Sequence, residues 1–563
     1  MNILGISAFV HDSAACLVQN GKVVVNIEEE RLNREKHTSC FPDKSIKYIL
    51  QSTGLKPNNI DLIAFNWQPW QLLKHELMFA VKYLPFYLKI LKLNNPPIDF
   101  HSIAKMLKLR KHINRTFNVK FNTKIEFVPH HMAHAASAYY LSPYNDSDIM
   151  VFDGYGENSA TSIFTAFNTR ISKKWSLPVE NSVGVIYRNF TKYLGFREYQ
   201  EGTLMALASY GNNEYKDFFD KCFILKNSGK YHINRNLLGY WSYKNGFVSK
   251  HLGSPRKFDE SLSQRHKNIA HSLQYGIKNI ILHVLEHHHK KTNNKNLCMA
   301  GGCFLNCDVN RKIINSGLYE NIFIPPFTSD TGGAVGAALY AAFNTRREIR
   351  KTEKYFSPLL GPGYSNDDIE KAIDSSKYVF IKTDKISTVT AHALLDGNIL
   401  GWMQGRGESG PRALGNRSIL ASPFELCIKN RINRNIKKRE GFRPFAPIVT
   451  QEAAVKYFEI SEPFSPLAYY MLLTVKIRKE YYHKFPSISH IDNTARIQIV
   501  TEKTNKKLYE LLIEFEYITG YAVILNTSFN AQEPIVCSPQ DAINTYTRTG
   551  LDGLIIGDYY SFR

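Results

Sequence analysis

The chain has 563 residues, more than one hydrophobic core usually organises, so at least two domains are expected. Hydrophobic residues make up 44% and charged residues 21%, the balance of a soluble globular protein rather than a disordered or fibrous one. The net charge of +21 sets up a field that draws phosphates, nucleotides, acidic sugars or nucleic acid, and it does not choose among them.

No run of about 18 apolar residues occurs, so no membrane span is expected. The nearest candidate, Leu77 to Leu93, is broken by Lys82, Pro85 and Lys89. The start, MNILGISAF, lacks the positive region of a signal peptide. Eight scattered cysteines form no paired framework; Cys298, Cys303 and Cys307 lack the CxxC pairs of a zinc ribbon. They read as buried thiols of a cytoplasmic protein.

In chain order, Asn2 to Ala8 reads as a strand, followed by the loop Phe9 to Ser13 and a second strand from Ala14 to Val18. Asn20-Gly21 is a hairpin signal, and Lys22 to Ile27 is the returning strand. A helical, aromatic and basic segment follows at about 66–117, read as an accessory helical layer; the competing reading is a surface for a membrane or an acidic acceptor.

Val128 to Ala138 reads as a helix starting just after Pro129. His130 and His134 are four apart, so both imidazoles leave one face, while His131 points elsewhere. That is ligand spacing for a divalent transition metal, completed by carboxylates from Asp153, at the end of the strand Asp148 to Phe152, and Asp330. Iron(II), manganese and zinc all suit such donors, and a merely histidine-rich helix start is the competing reading. Past Asp153, Ala160 to Phe167 repeats the earlier strand–acidic loop–strand layout and suggests a duplicated α/β domain.

The strand Asn296 to Met299 leads into Ala300-Gly301-Gly302, and Asp330-Thr331-Gly332-Gly333 repeats the arrangement; a structural tight turn is the default reading of each, and glycines that let backbone approach a nucleotide are the alternative. Arg346 to Gly363, mixing charge with proline and glycine, reads as a linker. Beyond it, Gly405 to Ser418 sets Arg406, Arg412 and Arg417 among glycines and prolines, and Lys437 to Pro447 is a second basic loop. Guanidinium forks on rigid turns suit phosphate oxygens.

Taken together these motifs resemble the carbamoyltransferases of the nodulation, cephamycin and tobramycin type, along essentially the whole chain. The resemblance rests on HDSAA from His11, EEERLNREKH from Glu28, HHMAHAASAY from His130, FDGYGE from Phe152, AGGCFLN from Ala300 and DTGGAVGAA from Asp330. In the second half it rests on GRGESGPRALGNRSIL, KKREGFRPFAP, HIDNTARIQ and LNTSFN with EPIV. It implies an N-terminal actin/sugar-kinase-like duplicated domain over 1–350 and a C-terminal YrdC-like α/β domain over 364–563. The implied activity forms carbamoyl-adenylate from carbamoyl phosphate and ATP with Mg(II), then transfers the carbamoyl group to an acceptor hydroxyl at an iron(II)-type site. A tRNA-modifying transfer enzyme is the alternative; nucleic acid is the less favoured partner, and a homodimer is compatible with the resemblance.

Carried onto matching positions, Arg412, Arg417, Lys437, Arg443, Arg496 and Ser528 would hold carbamoyl phosphate and nucleotide phosphates. His130, His134, Asp153 and Asp330 would hold the metal. Gly154, Gly301, Gly302 and Asn306 would hold the adenylate in the first domain. His11, with Asp12, would act on the acceptor hydroxyl as general base. Two departures stand out: Thr203 replaces a lysine usual in the family, and the stretch Phe529 to Pro534 is shortened.

Overall fold

Asn2–Ser7 and Ala14–Gln19 pair antiparallel, and Lys22–Glu28 returns along the second strand. The turn between the last two is made by Asn20 and Gly21, both with positive φ, as an Asn-Gly hairpin requires. Leu62–Phe65 then adds parallel to the first strand, and Ile125–Phe127 parallel to that. A second sheet repeats the plan: Asp146–Gly156, Ser159–Phe167 and Arg170–Pro178 form a meander, and Asn296–Ala300 and Asn321–Phe323 add in parallel. The identical strand order of the two sheets is the duplication expected of an actin/sugar-kinase-like α/β fold.

In this computed structural model the chain divides into two units, Met1–Glu29 with His37–Phe356, and Glu30–Lys36 with Ser357–Arg563. The structure describes residues 1–82, 84, 100–118, 123–239, 246–347, 350 and 355–563. Of the basic segment expected at about 66–117, residues 83 and 85–99 lie outside the described residues, as do 348–349 and 351–354 of the expected linker.

In the first unit, the helices His130–Leu141 and Thr331–Tyr340 are buried along nearly their whole length, which is why the first is rich in alanine and the second in alanine and glycine. A Cβ on Gly336 would lie 1.8 Å from the Ala133 carbonyl oxygen, and one on Gly5 2.0 Å from the Ala334 carbonyl oxygen. Gly333 is pressed against the Asn66 amide and Gly332 against the Phe327 carbonyl in the same way. The glycines after Asp330 therefore serve close helix packing, a structural role like the default reading of this turn and not its nucleotide alternative. Gly336→Ala is expected to destabilise the first unit by about 3 kcal/mol, because backbone must move to admit the methyl; thermal denaturation measures it.

The second unit is a mixed eight-stranded sheet. Trp402, Leu420, Ile448 and Ile524 from its strands pack on Leu508, Leu512 and Phe515 of the helix Lys506–Thr519. Glu30–Lys36 belongs to this unit by its contacts: the Arg31 guanidinium donates to the Gly410 carbonyl at 2.7 Å, and Arg34 donates to the carbonyls of Pro534 and Ile535. All eight cysteines are free; contrary to the buried reading, Cys40 and Cys427 are exposed. Among the described residues no helix is long and apolar enough to cross a membrane.

Candidate metal centre and anion site

The strand Asp146–Gly156 leaves its ladder between Phe152 and Gly156, so Asp153 is freed from strict alternation. Its carboxylate turns to the helix His130–Leu141. The Nε2 atoms of His130 and His134 lie 3.1 Å apart, and that of His130 is 3.3 Å from Asp153 Oδ2 and 3.6 Å from Asp330 Oδ1. The Nε2 of His134 is 3.7 Å and 3.5 Å from the same two oxygens. One ligand atom from each of these four buried residues lies within 4.8 Å of all the others. Donors about 2.1 Å from one ion would stand about 3–3.5 Å from one another, so the set fits a divalent transition metal.

What surrounds His130 fixes its orientation. Its Nδ1 donates to the Asn66 carbonyl at 3.3 Å, which leaves the Nε2 lone pair facing the other donors. The Trp67 ring stacks on the imidazole with centroids 4.0 Å apart. The His130 backbone N–H, at the head of its helix, donates to both oxygens of Glu157 at 3.0 and 3.1 Å, a carboxylate placed where the helix dipole favours it. Trp67 and Glu157 were not singled out by sequence; the placement of Glu157 in FDGYGE was the only available signal. His131 turns away, its Nδ1 2.7 Å from Ser162 Oγ, and burial and the neighbouring His130 hold it well below the usual histidine range.

Buried carboxylates and imidazoles here shift one another's titration. Burial opposes charge on His130, but Asp330 and Asp153 outweigh it and push the imidazole up to about 10. Burial likewise raises Asp330, and the cations His11 and His130 reverse that and hold it well below the usual range.

His11 reaches the centre from its own loop. Its Nδ1 is 3.0 Å from Asp12 Oδ2 and its Nε2 3.5 Å from Asp330 Oδ2. Asp12 Oδ1 is 2.7 Å from His37 Nδ1, and His37 stacks on Tyr199 with centroids 4.1 Å apart. Asp12, His37 and Tyr199 all have positive φ, a costly conformation for residues with side chains. Such backbone strain is typical of functional loops and persists only when surrounding contacts enforce it. Sequence reasoning placed His11 and Asp12 here and missed His37 and Tyr199.

The nucleotide candidates of this unit divide. A Cβ on Gly154 would meet nothing within 4 Å, so its backbone borders open space. The Gly302 N–H donates to Asp153 Oδ1 at 3.0 Å and orients that ligand. Gly301 has φ of 102° and is pressed against the Phe152 carbonyl. Asn306 is committed within the fold: its amide exchanges two hydrogen bonds with Gln274 and accepts from the Val309 N–H. The Thr203 side chain is fully buried in its helix.

In the second unit one expectation is corrected. Arg417 is 1% exposed and donates to five carbonyls, those of Pro362, Gln404, Gly405, Asn416 and Cys537. Its donors tie loops together and are not available to phosphate. Glu408 complements it by accepting the N–H groups of Leu414, Asn416 and Arg417. Arg412 is half-buried in the turn that this pair holds. Lys437 is also turned inward: its ammonium donates to the Ser528 carbonyl and, at 2.8 Å each, to the Asn530 carbonyl and Oδ1, so it shapes the turn at Ser528.

Arg443 and Arg496, both half-buried, gather with Arg439, which the sequence did not single out. Burial first, then the charges of Arg443 and Arg496, hold the Arg439 guanidinium well below its usual range, with Glu440 offsetting them. A guanidinium stays protonated in a protein, so three of them gathered here with Glu440 as the offsetting carboxylate leave net positive charge. An anion is the group that would relieve it.

Comparison with known proteins follows the same division. Residues 2–339 match the family model described as carbamoyltransferase N-terminus, and residues 391–563 match the one described as carbamoyltransferase C-terminus. The chain is 35% identical to nodulation protein NolNO of Sinorhizobium fredii, over 98% of this chain and 79% of that one. It is 37% identical to nodulation protein NolO of Bradyrhizobium diazoefficiens over 76% and 78%, and 27% identical to nodulation protein U of the same organism over 94% and 92%. Among solved structures, the activator of 2-hydroxyisocaproyl-CoA dehydratase from Clostridium difficile aligns at 14% identity and a TM-score of 0.33, covering 63% of this chain and 100% of that one, too loosely to argue from.

Proposed function

The chain belongs to the carbamoyltransferase family, and from that premise we propose that it is an O-carbamoyltransferase working in two steps, with adenylate formation in the second unit and transfer in the first. The observation that carries the reading is the convergence of His130, His134, Asp153 and Asp330, with His11 beside Asp330 and Gly154 bordering open space.

In the first step, water releases phosphate from carbamoyl phosphate. The carbamate oxygen then attacks the α-phosphorus of Mg(II)-bound ATP, and pyrophosphate leaves. Both reactants are anions, so bringing them together needs fixed cations, and Arg439, Arg443 and Arg496 supply them without reorganising. Arg412 and the turn at Ser528 border the same chemistry. In the second step the acceptor hydroxyl oxygen attacks the carbamoyl carbon, its proton leaves, and AMP departs.

His130, His134, Asp153 and Asp330 would hold iron(II) or another divalent transition metal, which when bound supplies a positive charge that polarises the carbamoyl oxygen or anchors the nucleotide. Asp12 holds His11 by its Nδ1 and so directs Nε2 toward Asp330. With the charge of Asp330 engaged by a cation, His11 would lose its main partner and become able to take the hydroxyl proton as general base.

Purified protein is expected to release AMP and pyrophosphate from ATP only when carbamoyl phosphate is supplied, and Arg443→Ala is expected to raise the KM for carbamoyl phosphate by about 10–100-fold, the worth of one or more charge-assisted hydrogen bonds. ATP cleavage indifferent to carbamoyl phosphate would overturn the reading, and salt-sensitive transfer to tRNA would replace the hydroxyl of a small molecule or glycan with a nucleic-acid acceptor.

A further inference from the structure

The helix Pro69–Lys82 follows directly on Trp67 and Gln68, which touch the candidate metal centre through the His130 ring and the Glu157 carboxylate. One face of it is packed inward, carrying Pro69, Leu72, Glu76 and Phe79. Glu76 is satisfied there by the Tyr155 hydroxyl. The opposite face is where a surface helix normally becomes polar. Here it carries Trp70, Leu77, Met78 and Val81, which are 50–81% exposed. Positions 70, 77 and 81 are separated by seven and four residues, so they form one stripe along the helix. Exposed single apolar residues need no explanation, but a stripe of large ones does.

The neighbouring helices extend the pattern. Phe100 and Leu107, seven apart on the helix Phe100–Leu107, are also exposed, while Ile103 and Met106 of that helix are buried. Around these apolar groups the exposed charges are mostly positive, Asp43 beside Thr116 being an exposed acid at their edge. Lys74 lies on the first helix, and Lys108, Lys111 and Arg115 lie at or within the helix Leu109–Phe117. Residues 100–118 contain no acidic residue, and the one acid in 69–82 is the buried Glu76.

We infer that this face docks on the surface of a lipid bilayer bearing anionic headgroups, with the apolar stripe entering the acyl boundary and the lysines meeting the headgroup charge. The combination is that of an interfacial helix: large aliphatic and aromatic side chains on one side, cations flanking them with Lys74 among them, its long stem able to reach the headgroups, and too little length or apolarity to cross. Leucine, methionine and valine have no base-stacking use, which favours lipid over nucleic acid. Clustered lysine and arginine, with no acid in residues 100–118 and only Asp43 alongside, would repel a basic partner and attract an acidic surface. The docked helix would set the segment Trp67–Gln68, and with it the candidate transfer site, at the membrane surface, where a lipid-linked hydroxyl acceptor would be held.

The test is co-sedimentation of the full chain with phosphatidylcholine vesicles with and without phosphatidylglycerol. The expected result is pelleting with the anionic vesicles, weakened by salt. L77E combined with V81E is expected to lower the vesicle partition by more than about tenfold. Lys108→Ala and Lys111→Ala, which leave the apolar stripe intact, are each expected to lower it by about fivefold. Circular dichroism melting verifies that each variant is folded. No pelleting with either vesicle, or pelleting that neither set of variants changes, would overturn the inference. So would a dimer in sedimentation velocity that the L77E and V81E changes disperse in the absence of lipid, which would assign the face to a second copy. Displacement from vesicles by single-stranded RNA that depends on the lysines but not on Leu77 and Val81 would also overturn it. None of these readouts depends on carbamoyl transfer.

Discussion

His130→Ala is expected to abolish tight binding of one divalent transition metal ion per chain and to slow carbamoyl transfer by at least about a thousandfold, the several kcal/mol a bound ion contributes to such a reaction. Its Nε2 lies 3.1, 3.3 and 3.6 Å from the other three donors. Alanine removes that atom and leaves one imidazole to face two buried carboxylates. It also empties the space under the Trp67 ring, and His11, which faces the other oxygen of Asp330, stands outside the four-donor set. The binding readout is metal content after anaerobic incubation with iron(II), manganese or zinc, and Asp330→Asn should give the same loss by a different route. Acidity has a defined sign here. In the metal-free protein Asp330 and Asp153, against the cost of burial, hold the His130 imidazole protonated up to about 10. A metal needs the neutral nitrogen, so binding releases protons and affinity weakens as pH falls. Proton uptake on binding, or affinity that rises with acidity, would contradict the assignment of these groups as ligands.

Arg417→Ala is expected to destabilise the second unit by about 4 kcal/mol, although the sequence presents this residue as one more phosphate-binding arginine. The guanidinium is buried and joins the carbonyls of Gln404, Gly405 and Asn416 to those of Pro362 and Cys537, three separate stretches of chain. Removing it takes a donor from all five carbonyls, of which, among the described residues, only those of Asn416 and Pro362 keep a backbone N–H, from Gln404 and Gly407, and it removes the favourable charge interaction with Glu408. A loss of this size is a large part of the stability of an ordinary domain. Arg417→Lys keeps the charge but not the planar fork, so it should recover only part of the loss. Urea or thermal unfolding measures both. A variant with unchanged stability and a raised KM for carbamoyl phosphate would return Arg417 to the substrate.

Much of this arrangement is written in local sequence. Period and turn chemistry place the first hairpin at Asn20-Gly21, and the four-residue spacing of His130 and His134 places two imidazoles on one helix face. That Asp153 and Asp330 meet them is legible only as strand-end acids, because their convergence depends on the register break after Phe152 and on the packing of a glycine-rich helix. Trp67, Glu157, His37 and Tyr199 were not legible as site residues. Their contacts join distant segments, and the positive φ of His37 and Tyr199 is imposed by the fold, not favoured by their side chains. The arginines teach a further distinction. A guanidinium on a rigid Gly/Pro turn can face a ligand or hold the turn together, and composition cannot separate the two. Burial does: Arg417 holds the turn, while Arg439, Arg443 and Arg496 crowd together with charge left over.

Exchange of labelled pyrophosphate into ATP, dependent on carbamoyl phosphate, separates activation from delivery in one assay. If the arginine cluster alone makes the adenylate and the histidine–aspartate centre alone passes it on, the His130→Ala chain exchanges at the wild-type rate while failing to transfer, and the Arg443→Ala chain loses exchange at limiting carbamoyl phosphate. Loss of exchange in the folded His130→Ala chain would contradict that division.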